Sequence, residues 1–237
     1  MANKARLRKD HVGMVLNRIS FNQEKALGKA LSHVCSRLEE AFPQIRLVAE
    51  PQWFLHAVVG DLAKFYPDIG FHCHFDSSSM KPDGGIISII GDDGRKYPIL
   101  ITEKKNQGTN DLRIKEGKKR QAKGNAIERL GKNVIGFRAA MLKESIFPFV
   151  CFGDGCDFAE ESSILDRVST IAMFGELNKE CLHNLGVNGA FNRGTFYFRE
   201  SPWTVAEMTE RCYSIAQGAV YYYFSKYKKS TFVEEIA

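Results

Sequence analysis

Asp83 stands before two glycines, and Glu103 and Lys105 follow it at a Glu-x-Lys spacing. Carboxylate oxygens are hard donors that suit a divalent cation such as Mg²⁺. Residues two apart on an extended chain share a face, so Lys105 points the way Glu103 points. An ammonium beside two carboxylates can position an attacking water and offset charge developing on a phosphate. These are the parts of a metal-dependent phosphodiesterase. Asp-Gly-Gly is also ordinary turn chemistry, and Glu-Lys-Lys an ordinary solvated strand end, so the spacing by itself leaves both readings open.

The elements around these residues bring them together. Gly85 to Ile90 is an apolar run that predicts a strand, Gly91-Asp92-Asp93-Gly94 predicts a turn, and Tyr97 to Thr102 predicts the returning strand. Such a hairpin closes Asp83 onto Glu103. The returning strand is apolar almost throughout, which places it inside a sheet.

The rest of the chain alternates helical and extended patterns. Leu27, Leu31, Val34 and Leu38 predict an amphipathic helix over about 22–41, after a basic arm at 1–21. A short strand is expected at Ile45–Ala49, and a helix is marked by Leu55, Val58, Val59, Leu62 and Phe65. Phe71–Phe75 alternates as a strand. Its His72-Cys73-His74 could offer two metal ligands, but no second ligand pair is suitably spaced. Ile127, Leu130, Val134, Phe137 and Met141 predict a helix over 124–144. Phe147–Phe152 predicts a strand, 164–174 a short helix and Thr195–Arg199 a strand. Ser201-Pro202 opens a final helix with Val205, Met208, Cys212, Ile215, Ala219 and Tyr222 on one face. This order predicts a single α/β domain over 1–237, with a central mixed five-stranded sheet between helices.

The 237 residues are 44% hydrophobic and 26% charged, as in an ordinary globular protein. No secretory leader or membrane-length apolar run is visible, and the six cysteines form no CxxC pair. Reduced thiols in a cytoplasmic protein are therefore expected. The net charge of +5 is concentrated: residues 104–123 hold eight Lys/Arg against two acids, +6, which leaves −1 for all other positions. A charge run can be a solvated loop. Directly after Glu103-x-Lys105, the run over 106–123, with Lys118, Lys119, Arg120 and Lys123, reads as an arm that embraces a polyphosphate by releasing counterions.

Four co-linear stretches then carry a resemblance. Ser79-Met80-Lys81-Pro82-Asp83-Gly84-Gly85, Thr102-Glu103-Lys104-Lys105-Asn106-Gln107-Gly108, Gly124-Asn125-Ala126-Ile127-Glu128-Arg129 and Glu144-Ser145-Ile146-Phe147-Pro148-Phe149-Val150 resemble the EcoRI family of type II restriction endonucleases in order and spacing. The match covers about 77–152 and is weaker at Leu165-Asp166-Arg167 and in the last helix. The resemblance implies the PD-(D/E)xK nuclease fold and Mg²⁺-dependent cleavage of double-stranded DNA, leaving a 5′-phosphate and a 3′-hydroxyl. It implies a homodimer on a palindromic site. It assigns Asp83 and Glu103 as metal ligands and Lys105 as the catalytic lysine, with Lys81 near the DNA. A lysine, Lys104, stands between Glu103 and Lys105, and the scaffold should tolerate it. A cognate DNA methyltransferase would act on the same site without binding this protein.

Gly124–Arg129 resembles the family's recognition element, with Ala122 retained just before it. Asn can bond N6 and N7 of one adenine, and Asn125 and Arg129, four apart, reach from one side of a helix start that also favours phosphate. The resemblance makes these residues readers of a central AATT, with Ala126 beside them and Glu128 and Arg129 in cross-subunit ion pairs. The plain alternative is an N-cap Asn and a surface Glu-Arg pair. Of two family arginines linked to the outer base pair, one is matched by Arg167 and the other falls on Ile164. GAATTC and purine-AATT-pyrimidine sites both stay open. So do two other readings: a repair or recombination nuclease of the same fold without a fixed site, and a DNA-binding protein without catalysis.

Overall fold

The computed structural model describes residues 17–106, 117, 119, 124–155, 158, 163–171 and 176–233. In chain order it builds α1 (Asn17–Ala41), β1 (Leu47–Glu50), β2 (Trp53–Phe54), α2 (Leu55–Phe65), β3 (Ser79–Met80), β4 (Gly85–Ile90) and β5 (Lys96–Asn106). Then come α3 (Gly124–Ala140), β6 (Phe149–Asp154), α4 (Ser163–Ile171), β7 (Thr195–Arg199) and α5 (Val205–Tyr227). Five strands form one mixed sheet in the order β1-β4-β5-β6-β7. The β1, β4 and β5 strands pair antiparallel, while β5, β6 and β7 run parallel. The expected five-stranded α/β architecture is the one observed.

Both faces of the sheet are covered, which is why its strands read as apolar runs. On one face Leu27, Val34 and Leu38 of α1, and Met208, Cys212, Ile215, Ala219 and Tyr223 of α5, pack on Ile87, Ile89, Tyr97, Leu100 and Phe152. On the other, Ile127, Leu130, Val134 and Phe137 of α3, with Val168 of α4, pack on Ile86, Ile101, Phe149, Cys151 and Phe198. The two layers meet different sides of the same strands, so each strand's alternation decides which layer a side chain enters.

A bulge in β5 changes that alternation. Opposite β4 the register steps from Ile87↔Leu100 to Ser88↔Pro98, which leaves Ile99 as the extra residue. Ile99 and Leu100 both join Tyr97 in the α1/α5 layer. Beyond them Ile101 faces α3. Strict alternation from Tyr97 would have sent Ile101, and with it Glu103 and Lys105, to the opposite side.

Several boundaries differ from the sequence expectation. Helix α1 begins at Asn17, so residues 17–21 continue the helix and only 1–16 of the expected arm lie outside the described residues. Strand β5 runs four residues beyond Thr102, because β6 pairs with it from Ile101 to Asn106. Phe71–Phe75 forms no strand: its backbone has no ladder partner, and Phe75 is 71% exposed. His72 and His74 are exposed with their rings in contact, and no three-residue His/Cys/Asp/Glu cluster occurs among the described residues. Helix α3 stops at Ala140, before a turn that leads to the buried Glu144. Helix α5 starts later than Ser201-Pro202. Thr204 is its N-cap and forms a capping box with Glu207, a stronger start signal than Ser-Pro. On α5 it is Tyr223 that is fully buried, whereas Tyr222 is half-buried.

The exposed edge of β7 is closed locally. Asn178, in the left-handed region at φ 60°, donates its backbone N–H to Phe196 O and accepts from Phe198 N–H at 2.8 Å through Oδ1. One residue thus satisfies two groups that another chain could otherwise pair with. Cys35, Cys73, Cys151, Cys181 and Cys212 are all free, and Cys156 lies outside the described residues. No helix among the described residues is long and apolar enough to cross a membrane.

Candidate active site

Strand β5 positions Glu103 and Lys105, and the turn into β4 positions Asp83. Gly84 and Gly85 make that turn possible. A Cβ on Gly84 would lie 2.1 Å from Thr102 Oγ1, and Gly85 takes φ +86° with Glu50 O only 2.9 Å from where a Cβ would stand. Two residues without side chains let the backbone of 83–85 lie flat on Thr102, with Gly84 N–H donating to Thr102 O at 2.9 Å.

The three expected residues converge. Lys105 Nζ donates to Asp83 Oδ2 at 3.0 Å and also pairs with Glu103 Oε1. The Asp83 backbone N–H donates to Glu103 Oε2 at 3.0 Å, and Lys104 N–H approaches Asp83 Oδ2 at 3.4 Å. The Glu103 side chain is fully buried, whereas that of Asp83 is 33% exposed. One carboxylate therefore anchors the site, and the other opens it to solvent.

Charge and burial oppose one another here. Burial pushes the Glu103 carboxyl up, Lys105 pulls it down, and Asp83 adds to the rise. Burial alone would lower the Lys105 ammonium, but Glu103 and Asp83 together hold it above its ordinary value. Neighbouring Cys151, in register with Glu103 on β6, is fully buried, and that burial raises its thiol. Two carboxylates facing one cation keep a residual negative charge and hard oxygen donors, a set that fits a divalent metal with water in its remaining positions.

Sequence reasoning missed one residue of this site. Asn133 of α3 donates from Nδ2 to Glu103 Oε1 at 3.2 Å. The signal was present: Asn133 breaks an otherwise apolar inner stripe beside Val134 and Leu130. Lys104 turns to the opposite face of β5 and pairs there with Asp154.

The other expected residues are placed as follows. Gly124 begins α3, and Asn125, Ala126 and Glu128 follow within its first turns. Arg129 is exposed on α3, Arg167 is exposed on α4, and Lys81 is exposed beside Asp83. Within the basic arm at 106–123, Asn106 ends β5, and Gly117 and Lys119 are exposed. Lys118, Arg120, Ala122 and Lys123 lie outside the described residues.

Comparison with known proteins extends well beyond residues 77–152. A family profile described as restriction endonuclease EcoRI matches residues 10–230. The type II restriction enzyme RsrI of Cereibacter sphaeroides is 31% identical over 218 residues, covering 78% of each chain. The type II restriction enzyme EcoRI of Escherichia coli is 32% identical over 177 residues, covering 71% of this chain and 64% of that enzyme.

Proposed function

The chain belongs to the EcoRI family of restriction endonucleases, type II site-specific deoxyribonucleases, and from that membership we propose how its site works. It hydrolyses both strands of double-stranded DNA at a palindrome with a central AATT, within GAATTC or purine-AATT-pyrimidine. The observation that carries this reading is the bridge from Asp83 through Lys105 to Glu103, set beside a helix that opens with Gly124-Asn125.

Asp83 and Glu103 would hold Mg²⁺ through carboxylate oxygens. The bound ion would polarise the scissile phosphate and make its water more acidic. Glu103, fixed by Asn133 and by the Asp83 backbone, holds its two oxygens in place. Lys105 presents an ammonium to the water and to charge developing on phosphorus. Water attacks phosphorus and releases a proton to solvent, the bond to the 3′-oxygen breaks, and that oxygen takes up a proton from solvent, so the products are a 5′-phosphate and a 3′-hydroxyl.

Reading falls to the start of α3. Asn125 and Asn133 are eight residues apart, about 12 Å of helix axis. Asn125, Ala126 and Arg129 contact bases from the major groove, with Ala122, Lys123 and Gly124 leading in. Arg167 reaches towards the outer pair, and Lys81, Lys118, Lys119 and Arg120 neutralise phosphates. Two-fold symmetry of the site calls for a homodimer, joined in part through Glu128 and Arg129. The protein works in the cytoplasm, where a methyltransferase protects the same sites.

Incubation of plasmid DNA with protein and Mg²⁺, followed by sequencing of the ends, tests the whole reading. Discrete fragments sharing one end sequence are expected. A smear would instead indicate a nuclease without a fixed site, and a gel shift with intact DNA a binder without catalysis.

A further inference from the structure

Lys104 is the residue of the Glu-x-Lys motif that points away from the chemistry. Its side chain and that of Asp154 are each only 3% exposed, and they form an ion pair between neighbouring strands β5 and β6. Asp154 is fully engaged. Its Oδ1 accepts from Gln23 Nε2 of α1 at 3.0 Å, and its Oδ2 also accepts from the Trp203 backbone N–H at 3.3 Å. Trp203 Nε1 adds a bond to Gly153 O at 2.9 Å, and its ring meets Phe152 edge-on. Strand β5, strand β6, helix α1 and the approach to α5 are therefore tied at one buried carboxylate.

A buried charge pair of this kind is an expensive way to hold a sheet together, because apolar residues of similar volume often hold it as well. What the pair adds is direction. The backbone of Lys104 lies between Glu103 and Lys105, and its own N–H points at Asp83 Oδ2. Anchoring the Lys104 side chain on one face of the strand fixes the twist of residues 103–105. That twist sets where Glu103 and Lys105 stand on the other face.

We infer that Lys104 and Asp154 form a positioning pair for the cleavage site, acting through the β5 backbone rather than on DNA. The inference rests on the nuclease reading above. In that reading a misplacement of about 1 Å at the reacting groups costs about 100-fold in rate. A pair that merely filled space would be replaceable without loss of rate.

The test replaces both partners by apolar residues, Lys104→Met with Asp154→Leu, and compares the variant with the wild type. The expected result is a folded protein of lower melting temperature, because Gln23 Nε2 and the Trp203 N–H lose their acceptor, with unchanged duplex affinity and with single-turnover cleavage at saturating DNA slowed at least tenfold. Wild-type cleavage by a folded double variant would overturn the inference. If the double variant does not fold, Asp154→Asn decides. Slowed cleavage with affinity kept supports the pair, and a wild-type rate overturns it. Wild-type protein is assayed alongside: if it too leaves DNA intact, the nuclease reading fails and not the pairing alone.

Discussion

Asn133 Nδ2 lies 3.2 Å from Glu103 Oε1 and donates to it, so helix α3 is hydrogen-bonded directly to the buried carboxylate on β5. The helix that begins with the candidate reading residues is thus attached to the candidate cutting residue. A shift of α3 on binding DNA would be felt at Glu103 through that bond. We predict that Asn133→Ala slows cleavage of bound DNA about tenfold, the equivalent of about 1.4 kcal/mol, and leaves duplex affinity unchanged. Single-turnover rates at saturating DNA measure this, and an unaltered rate would show that the bond has no part in catalysis.

Glu103→Ala removes the anchored carboxylate of the proposed metal pair. The expected outcome is loss of cleavage with specific binding retained, seen as a gel shift of an AATT duplex that stays intact with Mg²⁺ present. Undiminished cutting would remove Glu103 from the metal site.

Asn125 is the second residue of α3, and in the proposed function it is the residue that meets adenine. A bidentate Asn–adenine contact carries about 1–3 kcal/mol of discrimination. Asn125→Ala should narrow the ratio of cleavage rates between AATT and single-substituted sites by that amount. A variant with full selectivity would place the reader elsewhere.

Glu207 gives a pH test away from the site. Its carboxyl is lowered from 4.5 to about 2, first by hydrogen bonds from Arg199 and then by those from Thr204. A depressed carboxyl contributes stability above its unfolded value and loses it as pH falls through the folded value. The pair is partly exposed, so the contribution is about 0.5–1 kcal/mol. Glu207→Gln should melt below the wild type at neutral pH, and the gap should close between 4.5 and about 2. A gap of constant size across that window would assign the effect to packing.

Gly85 holds φ +86° with a carbonyl 2.9 Å from the position of a Cβ. Gly85→Ala should therefore cost about 1–3 kcal/mol in chemical denaturation. A cost below about 0.5 kcal/mol would mean that the turn carrying Asp83 relaxes freely.

By itself the sequence determined a great deal of this protein. Apolar periodicity marked α1, α3 and α5 and strands β4, β6 and β7, because each buries a stripe or a face and must repeat apolar residues to do so. Spacing placed Glu103 and Lys105 on one face, and the turn at Asp92-Asp93 closed Asp83 onto them. Local patterns could not show partners distant in the chain. The extension of β5 to Asn106 needed β6 beside it, and Phe71–Phe75 failed as a strand because nothing pairs with it. Asn133 and Asp154 meet β5 only through the packing of a helix and a neighbouring strand, 30 and 50 residues away along the chain. Which layer the site faces was settled by tertiary structure alone. The bulge at Ile99 reverses the alternation of β5, turning Glu103 towards α3 and Lys104 towards α1. A bulge is a mismatch between two strands, and one strand's sequence does not contain the other's register.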